Sequence, residues 1–275
     1  GYGLAQGGSL SVSSGRIQIG GENDAPPGTL NLDSDFPGRG GFAKVALTGR
    51  DGLTVADGVS LKPVPQAIVL EQNHVLQATG SRIENFSTRG VLDPRVRKPV
   101  NLTLSADSVT RGDVRIGDGA RIELDDQSTI AINAANRIDI AGVLRTRGGA
   151  ITATLNRSTD QAFDPASAIW LGERAVLDAS GVTRTYTDNR GLVQGAVLAG
   201  GKVALNAQIG YVATQAGSRI DVSGAAPVRL DVPNEQGGLG RDIGSDAGAV
   251  MIVAREGALL DGTLSARAGG DSNRG

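Results

Sequence analysis

The chain has 275 residues, 41 of them glycine, with no cysteine, one histidine and eight aromatics. The missing cysteines exclude disulfides and thiolate metal sites, and His74 alone excludes any centre that needs two imidazoles. A net charge of −2 and a pI near 5.5 argue against binding to nucleic acid or to anionic membranes, so neither is an expected partner.

From the N-terminus onward, apolar and polar residues alternate in short runs that stop at glycine, aspartate or asparagine, the pattern of half-buried strands. Ser9-Leu-Ser-Val-Ser13 and Arg16-Ile-Gln-Ile19 come first, then Asn101-Leu-Thr-Leu104, Val114-Arg-Ile116, Arg121-Ile-Glu-Leu124 and Ala150-Ile-Thr-Ala-Thr-Leu155. A central strand cannot give up a backbone N–H, so prolines mark departures from the ladder. Pro26, Pro27 and Pro37 place an excursion at 22–41, Pro63 and Pro65 one at 62–74, and Pro94 and Pro99 one at 92–100. Pro165 places another at 156–167, Pro227 and Pro233 one at 225–246, and a proline-free excursion is expected at 183–195. No 3.6-residue period is sustained. The longest apolar run, Ala249–Ala254, is too short to span a bilayer, so no membrane-spanning segment is expected.

Within the runs a unit recurs: Gly80-Ser-Arg-Ile-Glu84, Gly119-Ala-Arg-Ile-Glu-Leu124, Asn136-Arg-Ile-Asp-Ile-Ala-Gly142 and Gly217-Ser-Arg-Ile-Asp-Val-Ser-Gly224. Looser copies begin at Ala175 and Gly262. The central residues Ile83, Ile122, Ile138, Leu177, Ile220 and Leu264 are separated by 39, 16, 39, 43 and 44 residues. With roughly 20 residues to a coil, most intervals read as two coils of a solenoid. The expected fold is all-β, a right-handed parallel β-helix with excursions between coils, formed by residues 1–275 as a single segment. About ten coils at a spacing of about 4.8 Å would make a rod roughly 50 Å long. The opening Gly1-Tyr-Gly-Leu has no secretion signal, and the chain reads as a segment cut from a longer protein.

Gly217-Ser-Arg-Ile-Asp-Val-Ser-Gly224, Ile169-Trp-Leu-Gly172 followed by Val176-Leu-Asp-Ala-Ser-Gly181, and Leu259–Gly270 resemble the filamentous haemagglutinin family. The resemblance implies a large bacterial exoprotein, an adhesin secreted through the outer-membrane pore of a two-partner system. It also implies a β-helical shaft at the cell surface that acts in adhesion, aggregation and biofilm formation or virulence. The ligand expected on that basis is a host-cell, sibling-cell or matrix polysaccharide component. Asn-Pro-Asn, the signature of the family's export domain, does not occur, which implies interior shaft.

Candidate chemistry is sparse. Arg111-Gly112-Asp113 matches the triplet that integrin-type receptors bind, but it leads directly into a strand and also reads as an ordinary turn. The alternative function is a carbohydrate-binding or polysaccharide-cleaving β-helix with an acidic groove on one face, which Asp125, Asp126, Asp160 and Asp164 with Trp170 could form. Asp125-Asp126-Gln-Ser is equally good turn chemistry. No catalytic residue, cofactor or metal is expected. Arg82, Arg121, Arg137 and Arg219 precede inward residues and are each followed two residues on by an acid, which predicts outward rows of ion pairs along the shaft.

Overall fold

The computed structural model describes residues 7–21, 25–94, 96–157, 164–233, 239–270 and 275. The chain winds as a parallel β-helix whose coils have three faces. The first two faces form one large sheet, and the third is a separate six-stranded sheet. Coil 1 is the single long strand Ser9–Ile19, and coil 2 runs through Lys44–Val55 and Ser60–Leu61. Coil 3 comprises Asn101–Ala106, Asp113–Ile116 and Arg121–Glu123, and coil 4 Thr129–Ala134, Arg137–Ile140 and Val143–Arg145. Coil 5 comprises Ala150–Leu155, Ala168–Leu171 and Val176–Asp178, and coil 6 Lys202–Ala207, Tyr211–Thr214 and Arg219–Asp221. Coil 7 closes the stack with Ala249–Ala254, Gly257–Leu260 and Thr263–Ser265.

Parallel pairing in register stacks like on like. On the first face Leu102, Ile130, Ile151 and Val203 form an inward column, on the second Val114, Ile138, Ile169 and Val212, and on the third Ile122, Leu144, Leu177 and Ile220. These side chains are at most 1 % exposed, so each contributes roughly 1.5–3 kcal/mol of burial. No aromatic is fully buried among the described residues. Thr214 takes an inward place on the second face, where its hydroxyl accepts from the Gly262 N–H at 3.1 Å.

The count of coils differs from the sequence expectation. The one interval on the third face without an excursion, Ile122 to Leu144, takes 22 residues for one coil. The longer intervals to Leu177, Ile220 and Leu264 are also single coils, lengthened by insertions. Seven rungs therefore replace ten, and the stack is about 30 Å long. Ile138 belongs to the second face, not to the column of Ile122. Ile83 belongs to no coil: it opens a short 3-10 turn, Ile83–Asn85, inside an insertion. That insertion is continuous from 62 to 100, joining the two excursions expected at 62–74 and 92–100. The reason is local: an arginine, an apolar residue and an acid in a row suit a strand on any face, as at Ile138, and equally a short 3-10 turn, as at Ile83.

Three insertions fold as antiparallel hairpins. Hairpin 1 pairs Gln66–Leu70 with Ser87–Val91, hairpin 2 pairs Val182–Thr187 with Val193–Leu198, and hairpin 3 pairs Val228–Pro233 with Leu239–Ile243. All three leave the stack at the same corner, where the third face returns to the first. Where the chain re-enters the first face at this corner, after a hairpin or without one, it runs close against the coil before it, and glycine is needed for the approach. A Cβ on Gly201 would lie 1.9 Å from the Gly149 carbonyl oxygen, and one on Gly248 would lie 1.8 Å from that of Gly201.

The two ends differ. Thr29–Leu32 pairs over Arg16–Ile19, and with the 3-10 turn Phe36–Gly41 it brings Leu30, Leu32, Phe36 and Phe42 against the interior of coil 1. At coil 7, Val250, Ile252 and Ala254 are only partly buried, and Leu264 is exposed. No helix among the described residues is long and apolar enough to cross a membrane.

Candidate functional site

Asp125 and Asp126 sit at the hairpin-bearing corner as the chain leaves coil 3. The Ser128 N–H and hydroxyl both donate to the Asp125 carbonyl, and Gln127 has a φ of 63°, so this is a tight turn. Arg97, from the 62–100 insertion, donates through two nitrogens to the two Asp125 carboxylate oxygens, with Nε–Oδ2 at 2.6 Å. Arg184 of hairpin 2 donates from Nε to Asp126 Oδ2 at 2.8 Å. The hydrogen bond to Asp125 raises the Arg97 pKa against the opposing effect of burial. Two neighbouring carboxylates thus anchor two separate insertions.

Asp164 lies at a different corner, between the first and second faces of coil 5. It accepts from Arg157 Nη1 at 3.3 Å and from the Ala166 N–H at 2.9 Å. Asp160 lies outside the described residues. Trp170 is on the outer side of the second face, flanked in sequence by the buried Ile169 and Leu171. Asp125 and Asp126 are therefore not brought into one groove with Trp170. Among the described residues there is no group of three or more His, Asp or Glu that could hold a metal ion.

Arg111-Gly112-Asp113 forms the corner before the second-face strand of coil 3. Gly112 is buried, its N–H donates to the Ser108 carbonyl at 2.7 Å, and a Cβ there would lie 2.5 Å from the same oxygen. The triplet is a fixed turn whose Arg111 and Asp113 are exposed. Although Asp113 is exposed as a residue, desolvation of its carboxyl raises its pKa, against the hydrogen bond donated by Asn136 Nδ2 at 3.1 Å. His74 is exposed in a 3-10 turn, with Nδ1 2.7 Å from the Glu71 carbonyl oxygen.

The outward rows of charge are real on part of the third face, with different partners from those expected. Lys62, Glu123, Arg145 and Asp178 form one column across four coils. The separations are 2.6 Å for Lys62–Glu123, 3.2 Å for Arg145–Glu123 and 2.8 Å for Arg145–Asp178. The Lys62 ammonium leads in holding Glu123 below the usual carboxylate range. Burial pushes Asp178 upward, but bonds from Ser180 and Arg145 outweigh it and its pKa is lowered. Asp221 is likewise lowered, as Ser223 and Arg219 overcome burial. Arg137 and Arg219 pair with Asp139 and Asp221 on their own strands, as the local pattern suggested. Arg82 and Glu84 lie in the insertion, outside the shaft.

A feature not read from the sequence lies on the second face. Its outward column through Trp170 runs Gln18, Thr54, Arg115, Asp139, Trp170, Ala213 and Leu259 from coil 1 to coil 7. The neighbouring column places Arg137, Ala168, Tyr211 and Gly257 in line. Aromatic and small residues thus alternate diagonally. Ala168 and Ala213 point outward yet are only 6 % exposed, and a Cβ on Gly257 would lie 3.4 Å from the Tyr211 ring. Trp170 and Tyr211 line a hollow of about 380 Å³ that Pro165 and Leu259 help to close. Trp170 also borders a hollow of about 300 Å³ whose lining includes Arg115, Asp139, Glu173, Arg174 and Gln215. A third, of about 310 Å³, shares Arg115 and Asp139 and continues to Arg16 and Gln18. The signal for this trough was the pairing of Ala168 with Tyr211, which depends on the length of hairpin 2.

Comparison with family models, with curated proteins and with solved structures gives no match to this chain.

Proposed function

We propose that the chain is a non-enzymatic shaft segment of a secreted bacterial adhesin at the cell surface, as the resemblance to the filamentous haemagglutinin family implies. Export of the parent protein would use the outer-membrane pore of a two-partner system. The observation that supports this reading best is the projection of three hairpins from one corner of an otherwise continuous stack. Contact surface is concentrated there while the coils supply stiffness and reach.

Hairpins 2 and 3 brace one another: the Val193 N–H donates to Asp231 Oδ2 at 2.7 Å, and Gln194 Nε2 donates to the Asp231 carbonyl at 3.2 Å. The tip of hairpin 2 is ordered by Asp188, whose carboxylate accepts from the N–H groups of Arg190 and Leu192. The two hairpins therefore present a joint surface. The test is attachment of beads coated with the protein to host and sibling cells, with each hairpin replaced in turn by a short glycine turn. Loss of attachment on removing hairpin 2 or hairpin 3 supports the reading. Attachment equal to that of uncoated beads, before any deletion, overturns it.

A further inference from the structure

The second face carries a continuous trough. Its three hollows share wall residues: Trp170 between those of about 380 and 300 Å³, and Arg115 and Asp139 between those of about 300 and 310 Å³. The floor of this trough is strand backbone hydrogen-bonded to neighbouring coils, so an extended peptide finds no open edge to pair with inside it. Recognition there must go through side chains. What they offer is two aromatic platforms at one end and planar charged or amide groups along the rest.

Both rings are half-buried on the outer side of the sheet and border one hollow. Trp170 and Tyr211 stand one coil and two residues apart, a diagonal of about 8 Å from a coil spacing of about 4.8 Å and a strand rise of about 3.3 Å per residue. Ala168, Ala213 and Gly257 lie beside the rings in the same columns and line the hollow with them. The Arg137 guanidinium carbon is 5.8 Å from the centroid of the Trp170 ring, and its Nε donates to both Asp139 carboxylate oxygens at 2.8 Å. Arg137 thereby steadies the indole while its own charge is balanced. Arg174 pairs with Asp118 at 3.2 Å and Arg115 with Asp57 at 3.0 Å, and the three hollows together are lined by four arginines and five carboxylates, so cations are not in excess.

We infer that this trough is a binding site for a neutral oligosaccharide. The weak-dipole C–H faces of pyranose rings stack on the aromatic platforms, and the ring hydroxyls meet the carboxylate, guanidinium and carboxamide groups that line the other two hollows. Balanced charge disfavours a polyanionic chain, which would need an excess of cations along its path. The site deepens the adhesive reading by giving it a ligand class, and it rests on that reading for the place where it acts.

Trp170 is the only tryptophan of the chain, so its emission reports this site alone. The test titrates the protein with soluble β-glucan, galactomannan and xylan as neutral probes and with polygalacturonate as the anionic one. Tryptophan emission and retention in affinity gels are recorded together. The expected result is an emission shift and retention with at least one neutral probe. Tyr211→Ala and Trp170→Ala should each weaken retention about tenfold, and Trp170→Phe should keep most of it. Circular dichroism of each variant checks that the coils are intact. Three outcomes overturn the site: no neutral probe binding, retention unchanged in Trp170→Ala, or salt-sensitive retention of polygalacturonate alone. Cell attachment measured in parallel separates the two readings. Attachment without polysaccharide binding sinks the site only, whereas polysaccharide binding without attachment sinks the adhesive role only.

Discussion

The second and third faces are built on the same inward columns of isoleucine, leucine and valine, yet their outer surfaces are unlike. The third face spends its outward positions on coil-to-coil ion pairing, with Arg145 bridging Glu123 below and Asp178 above. The second face pairs its charges mostly within a strand or at corners, and in coils 5 and 6 it gives way to Trp170 and Tyr211. Folding constrains only alternate residues of a strand that is covered on one side. The others are free to serve cohesion on one face and recognition on another.

The sharpest test of this equality beneath unlike surfaces is the interior. Ile138→Ala under the second face and Leu144→Ala under the third should each destabilise by about 2–5 kcal/mol, read as a drop in the urea midpoint. A marked disparity between them would mean that the outer surfaces, not the interior, dominate stability. Arg145→Ala should cost about 1 kcal/mol, because its two partners are mostly shielded from solvent while the arginine itself is not.

Acid separates the faces further. Glu123, Asp178 and Asp221 have folded pKa values below the ordinary range, so their stabilisation is fully present above about pH 4–5. It is lost as the pH falls through the folded values, and Arg145→Ala should shrink that loss. Asp113, raised by desolvation, has the opposite sign: its effect is to weaken the fold as the pH rises from the ordinary aspartate value through the raised one. Asp113→Asn should remove that component, measured as the slope of urea midpoint against pH.

Arg97→Ala should leave the coils folded and speed proteolysis within 62–100, and Arg184→Ala should do the same for hairpin 2, since each removes a tie to the turn at Asp125-Asp126. Smallest of all, Trp170→Ala and Tyr211→Ala should shift stability by less than about 0.5 kcal/mol, as outward residues do. A large loss would show that the aromatic platforms are structural.

Much of the architecture was readable from the chain. Ile122, Leu177, Ile220 and Leu264 were recognised as equivalent and do stack on one face. Every proline avoids the parallel ladder, as the missing N–H requires. Ile138 was misplaced because three residues of alternation report only inside and outside, not which side of the coil, and Ile83 because so short a pattern also suits a 3-10 turn. The true period was hidden because hairpins 2 and 3 each add close to one coil's length without adding a coil, which doubles the apparent spacing. For the same reason Trp170 was grouped with Asp125 and Asp126 and not with Tyr211, its neighbour across coils. Neighbours across coils are set by insertion length, and a linear reading has no measure of that.

The anchoring of Asp125 and Asp126 has a mechanical consequence. Tension along the axis of a β-helix pulls directly against the hydrogen bonds between rungs, so an unadorned stack peels one rung at a time. Arg184 reaches from a hairpin that leaves coil 5 to a turn that leaves coil 3, bypassing coil 4, and Arg97 ties that same turn to the insertion rooted in coil 2. Load that reaches coils 2 to 5 is thus shared across several rungs before any one of them separates. The middle of the stack should yield in a single larger step, after the outermost rungs have given way.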